Sequence, residues 1–125
     1  MYHRVIPPSP EVARTICKVL DRHNASPKVR LAAFEAAIVE SGVHNLYHGD
    51  RDSLGVFQQR PSQGWGTPAQ VTNVDYAATQ FITRAIAANG SQSAGQLAQD
   101  VQRSAFPDRY DQVALQAMSL IEKYC

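Results

Sequence analysis

A chain of 125 residues has the length of one domain and can bury a sizeable core. Twelve basic against eleven acidic residues leave a net charge of +1, which removes the bulk electrostatic case for nucleic acid. The charged fraction is low, and no apolar run approaches the length that spans a bilayer, so no membrane partner is expected.

The N-terminal "MYHRVIPPSP" has neither a long apolar core nor a small-residue cleavage pattern, so it does not read as a secretory signal. "SPEVARTICKVLDRHN" then opens a helix, with Ser9 as cap, Pro10 at the first position, and Val12, Ile16, Val19 and Leu20 on one face. A second Ser-Pro start follows at Ser26 and Pro27. It leads the Ala-rich "SPKVRLAAFEAAIVES", which Gly42 stops. Glu40 ends this helix on the stripe of Ala37, Ala36, Ala33 and Val29, where partial desolvation raises a carboxyl pKa. A general acid needs that property; the plain alternative is a solvated helix end. Glu35 points about 140° away at the helical period and reads as structural or solvated.

After Gly42 the chain turns polar and Gly-rich, "VHNLYHGDRDSLGVFQQRPSQGWGTP", with one short extended segment expected from Leu54 to Gln59. A long polar loop inside a compact domain usually carries function, and this one begins at Glu40. Helical spacing resumes in "NVDYAATQFITRAIAANG" and again in "SAGQLAQDVQRSAF" and "DQVALQAMSLIEKY", with Pro107 breaking between the last two.

Three other groupings carry chemistry. His44, His48, Asp50 and Asp52 lie close together, but Gly42 ends the helix before the histidines, and "DRDSLGVFQQRP" lacks the ligands of a calcium loop, so no metal or other cofactor is expected. Cys17 and Cys125 lie near opposite ends of the sequence. They are either two reduced thiols or one bridge between terminal helices, which would be worth about 4 to 5 kcal/mol in the chain-entropy model. Trp65, with Tyr47 and Tyr76, supplies flat faces beside the hydrogen-bonding Gln58, Gln59, Gln63 and Arg60. Such a surface suits a neutral polar polymer such as a glycan; the alternative is that Trp65 plugs the loop against the core.

The order "ES", "GDRDSLGVFQQ", then "NV" at a helix start resembles the goose-type lysozyme and soluble lytic transglycosylase superfamily. Glu40-Ser41 matches its Glu-Ser pair, Gly55-Val56-Phe57-Gln58 its Gly-Leu-Met-Gln-like strand, and Asn73-Val74 its Asn-Ile-type helix start. The stretch "GDRDSLGVFQQRPSQGWGTP" is similar to lysozyme-like domains of actinobacteria and their phages. The resemblance implies one lysozyme-like domain over 1–125, mainly α, with a short β-hairpin or loop region after the catalytic helix. It also implies cleavage of the β-1,4 bond between N-acetylmuramic acid and N-acetylglucosamine, a peptidoglycan partner, and a monomer acting at the cell wall. With no signal visible, the chain is expected to be phage-encoded or a trimmed domain. Glu40 becomes the general acid, and Asp50 or Asp52 the second catalytic carboxylate that a hydrolase needs. Ser41, Ser53, Gln58, Gln59, Trp65, Tyr76 and Tyr110 become the substrate-binding candidates.

The chain departs from the family in two places. Arg60 stands where one acidic water-holder is expected, and the Ala-Tyr-Asn-Ala-Gly motif of the transglycosylases is missing, with Tyr110 of "FPDRY" in place of its tyrosine. Hydrolysis and transglycosylation both stay open. Two further readings compete: a lysozyme-like domain that only binds the wall, and an amide hydrolase of the wall, which would need a metal or thiol.

Overall fold

Four of the long helices start where a side chain caps them. In the computed structural model, which describes residues 6–125, α1 (Pro10–Arg22) is capped by Ser9 and α2 (Pro27–Ser41) by Ser26, each with Pro in the first turn. The first half of "MYHRVIPPSP" lies outside the described residues. A short α3 (Pro68–Val71) carries a reciprocal capping box between Thr67 and Gln70. Asn73 caps α4 (Val74–Ala88), and Ser93 caps α5 (Ala94–Gln102). A 3₁₀ turn, Asp111–Val113, leads into α6 (Ala114–Tyr124).

α2 runs through the middle, packed against α4, α5 and α6, while α1 lies across α4 and α6. This placement explains why α2 is so rich in Ala. Val29, Ala32, Ala33, Phe34, Glu35, Ala36 and Ala37 are all buried, so neighbours crowd it on several sides. Small side chains let those helices approach closely. The terminal helices are tied by a disulfide between Cys17 and Cys125, whose Cα atoms are 5.4 Å apart. Of the two cysteine readings, the bridge is the one the fold contains. No helix among the described residues is long and apolar enough to cross a membrane.

The β-hairpin expected after α2 does not form. Among the described residues the only extended pairing is a single antiparallel bridge between Leu54 and Gln59, and no strand develops. The backbone chemistry explains the absence. Gly55 and Gln58 both adopt positive φ, 84° and 49°, which closes a tight turn. Val56 and Phe57 are both fully buried, so the alternation a half-exposed strand requires is missing, and Pro61 follows with no N–H to donate. A side chain at Gly55 would run into the Val71 carbonyl, so the turn needs glycine there. Phe57 stacks on Phe81 of α4 with ring centroids 5.0 Å apart, which anchors the loop to the core.

Candidate active site at the end of α2

Gly42 takes the left-handed conformation, φ 66°, and ends α2 so that its last turn opens onto a cleft of about 930 Å³. Val39 and Glu40 form one part of the wall. The polar loop supplies Asp50, Ser53 and Trp65, α4 supplies Arg84, and the segment after α5 supplies Arg103 and Arg109. The volume is at the upper end for ligand pockets and admits an oligosaccharide segment.

The Glu40 carboxyl is half-buried and accepts a hydrogen bond from the Tyr110 hydroxyl. Burial pushes its pKa up, and the Tyr110 hydroxyl, the Gln102 amide and the Arg109 charge pull it back down. The balance is upward, which favours a carboxyl that holds its proton. Tyr110 is itself fully buried, and desolvation together with the Glu40 carboxylate raises its own pKa, so the phenol stays a donor. A half-buried carboxyl with a raised pKa, beside the Tyr110 hydroxyl in a wide cleft, is placed to exchange a proton with a bound group.

No family model matches the chain, and no curated protein matches it.

The two candidate second carboxylates part company. Asp50 is exposed and lines the cleft. Asp52 does not line it; Arg60 Nε meets its Oδ1 at 2.6 Å and the Ser62 N–H donates to its Oδ2 at 2.8 Å. The Arg60 guanidinium and that N–H hold the Asp52 carboxyl well below the usual carboxylate range. Asp52 therefore braces the loop.

The binding candidates divide in the same way. Ser53, Gln58, Gln59 and Trp65 line the cleft, whereas Tyr110 is buried behind Glu40 and does not. Ser41 turns inward, where its hydroxyl donates to the Val56 carbonyl at 2.7 Å and accepts from the His44 N–H. Gln59 is almost fully buried and donates to the Ala77 carbonyl, while Gln58 braces its own loop through the His48 and Gly55 carbonyls. Tyr76 lies away from the cleft lining and packs over Gly66. Trp65 packs against the core and also lines the cleft. The Arg84 guanidinium covers its ring at 3.7 Å from the centroid.

Several residues at the site were not signalled by sequence pattern. Asp111 accepts from the Gly95 N–H at 3.0 Å and from the Ser93 hydroxyl at 2.9 Å, which fixes the 3₁₀ turn to the start of α5 and places the preceding Tyr110. A side chain on Gly95 would collide with Asp111, so this approach requires glycine. Glu35 is fully buried with neither carboxylate oxygen partnered, which excludes the solvated reading. Desolvation and the nearby Asp111 charge push its pKa up to about 7. Adjacency to Tyr110 in "FPDRYD" is the one sequence signal that could have pointed to Asp111. Among the described residues no group of three or more His, Cys, Asp and Glu is placed to hold a metal.

Proposed function

We propose that the protein cleaves peptidoglycan glycan strands between N-acetylmuramic acid and N-acetylglucosamine, with Glu40 as the general acid. The observation that carries this reading is the Glu40 carboxyl, half-buried and raised in pKa, hydrogen-bonded by Tyr110 on the wall of a polar cleft of about 930 Å³. The resemblance of "ES" and "GDRDSLGVFQQ" to the goose-type lysozyme and lytic transglycosylase superfamily supports it from the sequence side.

In the first step the Glu40 proton passes to the glycosidic oxygen as its bond to C1 of the muramic sugar breaks. The carboxylate left behind is stabilised by the Tyr110 hydroxyl and the Arg109 charge. Two second steps are chemically complete. In one, water adds to C1 under the guidance of a second carboxylate, and Asp50 is the cleft residue suited to hold it. In the other, the substrate's N-acetyl oxygen first occupies C1. Glu40 then takes the proton of the 6-hydroxyl as that oxygen closes a 1,6-anhydro ring; no water is consumed and Glu40 regains its proton. The binding of Asp52 to Arg60 favours the second route, because it commits one of the two possible water-holders to the loop.

The test is Glu40→Gln, which keeps shape and loses the transferable proton. Retained binding to insoluble peptidoglycan with turnover reduced at least ~1,000-fold is the expected outcome. Turnover near the wild-type rate removes Glu40 from the chemistry. Loss of turnover by a chelator or thiol reagent would point instead to an amide hydrolase, and binding without any turnover in the unmodified protein to a wall-binding domain.

A further inference from the structure

We propose that Arg84, whose guanidinium lies over the Trp65 ring, is a carboxylate-binding residue of the cleft, selecting glycan strands whose muramic acid substituent carries a free carboxylate over neutral N-acetylglucosamine polymers. The inference deepens the peptidoglycan reading and rests on it. Three observations lead to it.

The first is that Arg84, unlike the three arginines in salt bridges, is not committed to a carboxylate of the fold. Arg22 is paired with Asp75, Arg30 with Asp21 and Arg60 with Asp52, all within 2.8 Å. Arg84 has no carboxylate partner among the described residues; its one hydrogen bond is a 3.4 Å contact with Gln80 Oε1 on the same helix. The second is position: the guanidinium carbon lies 3.7 Å from the Trp65 centroid, a cation–π contact on the cleft wall. A guanidinium carries paired in-plane N–H groups that match the two oxygens of a carboxylate.

The third is the charge around it. Arg84, Arg103 and Arg109 stand on the cleft wall without carboxylate salt bridges, opposed by Asp50 and Asp100. Asp100 already accepts hydrogen bonds from Gln92 and Gln96. The cleft that holds Glu40 thus carries cations left for an anion, which a polymer of N-acetylglucosamine alone does not offer. On a muramic sugar the carboxylate has two sources: the stem peptide, or the lactyl group freed when that peptide is removed.

The experiment measures binding by the full chain carrying Glu40→Gln, so that turnover cannot intervene. The probes are soluble peptide-bearing strands, the same strands trimmed by an amidase, and N-acetylglucosamine oligomers of equal length. The expected result is ~10-fold tighter binding of at least one carboxylated strand than of the neutral oligomer. Arg84→Gln should abolish that preference, weakening carboxylated strands ~10-fold more than the neutral oligomer, while Arg84→Lys restores only part, since it keeps the charge and loses the fork. Preference for the untrimmed strand assigns the stem peptide; preference kept after trimming assigns the lactyl carboxylate. Equal affinity for charged and neutral strands, an equal loss on both in Arg84→Gln, or no binding to any probe overturns the inference. If the unmodified protein binds carboxylated strands selectively but never cuts them, the Glu40 reading fails and the carboxylate site stands.

Discussion

The Tyr110 hydroxyl donates its hydrogen bond to the Glu40 carboxylate across 70 positions of sequence, joining the end of α2 to the turn before α6. This contact stabilises the ionised acid more than the protonated one and so opposes the effect of burial. Tyr110→Phe removes it. An acid catalyst works while protonated and fails as pH rises through its pKa, so the alkaline limb of the rate profile should move to higher pH in the variant. The maximal rate should fall ~10- to 100-fold, because the carboxylate left after proton transfer loses a donor. The check is a rate profile from about pH 4 to about pH 9; an unmoved limb would mean that Tyr110 does not act on Glu40.

Gly95 controls the same contact from a distance. Asp111 reaches the Gly95 N–H only because no Cβ stands in its way, and Tyr110 precedes Asp111 directly. Gly95→Ala should push the 3₁₀ turn off the start of α5, costing about 1 to 3 kcal/mol of stability. Activity should fall further than the melting temperature explains, since Tyr110 moves with the turn. Activity equal to wild type at a temperature where both proteins are fully folded would contradict this.

Glu35 gives the fold a pH dependence of its own. Its pKa is raised to about 7 in the folded protein against an ordinary value of 4.5. Between those values the folded state holds a proton that the unfolded state has lost. Stability from this group is therefore complete below about pH 4.5 and declines as pH rises towards 7, by a sum on the order of 3 kcal/mol. Glu35→Gln cannot ionise, so its melting temperature should fall less over that interval. Parallel melting curves for the two proteins at each pH would show that Glu35 is not the group responsible.

The Cys17–Cys125 bridge spans 108 positions. Reducing it frees nearly the whole unfolded chain, for which the loop-entropy model gives about 4 to 5 kcal/mol. The double variant Cys17→Ser, Cys125→Ser should melt well below the oxidised protein, with Glu40 activity retained at low temperature because the bridge lies on the terminal helices. An unchanged melting temperature would mean that packing of α1 on α6 supplies the restraint unaided.

Local signals in the sequence were enough to place most of the helices. Ser9, Ser26, Asn73 and the stop at Gly42 all act where capping chemistry places them, and Glu40 does face a cleft. What depends on long-range contact was less legible. Glu35 read as a structural or solvated residue because stripe counting assumes a helix with one wet face, and α2 is enclosed on several sides. The run from Leu54 to Gln59 read as extended because its apolar residues fit a strand, yet positive φ at Gly55 and Gln58 folds it into a turn. Asp50 and Asp52 looked interchangeable until Arg60 took one of them. Nothing in the sequence marks Arg84, which meets Trp65 only through the return of the polar loop to α4.

The most direct test of the central claim is mass spectrometry of the soluble products released from purified peptidoglycan, with Glu40→Gln in parallel. Muropeptides should be released by the unmodified protein alone, carrying 1,6-anhydro ends and each lighter by one water than a hydrolysis product. Ordinary reducing ends would keep Glu40 as the acid and make Asp50 the water-holder. Equal release by the Glu40→Gln protein, or no cleaved glycan from either, would contradict the claim.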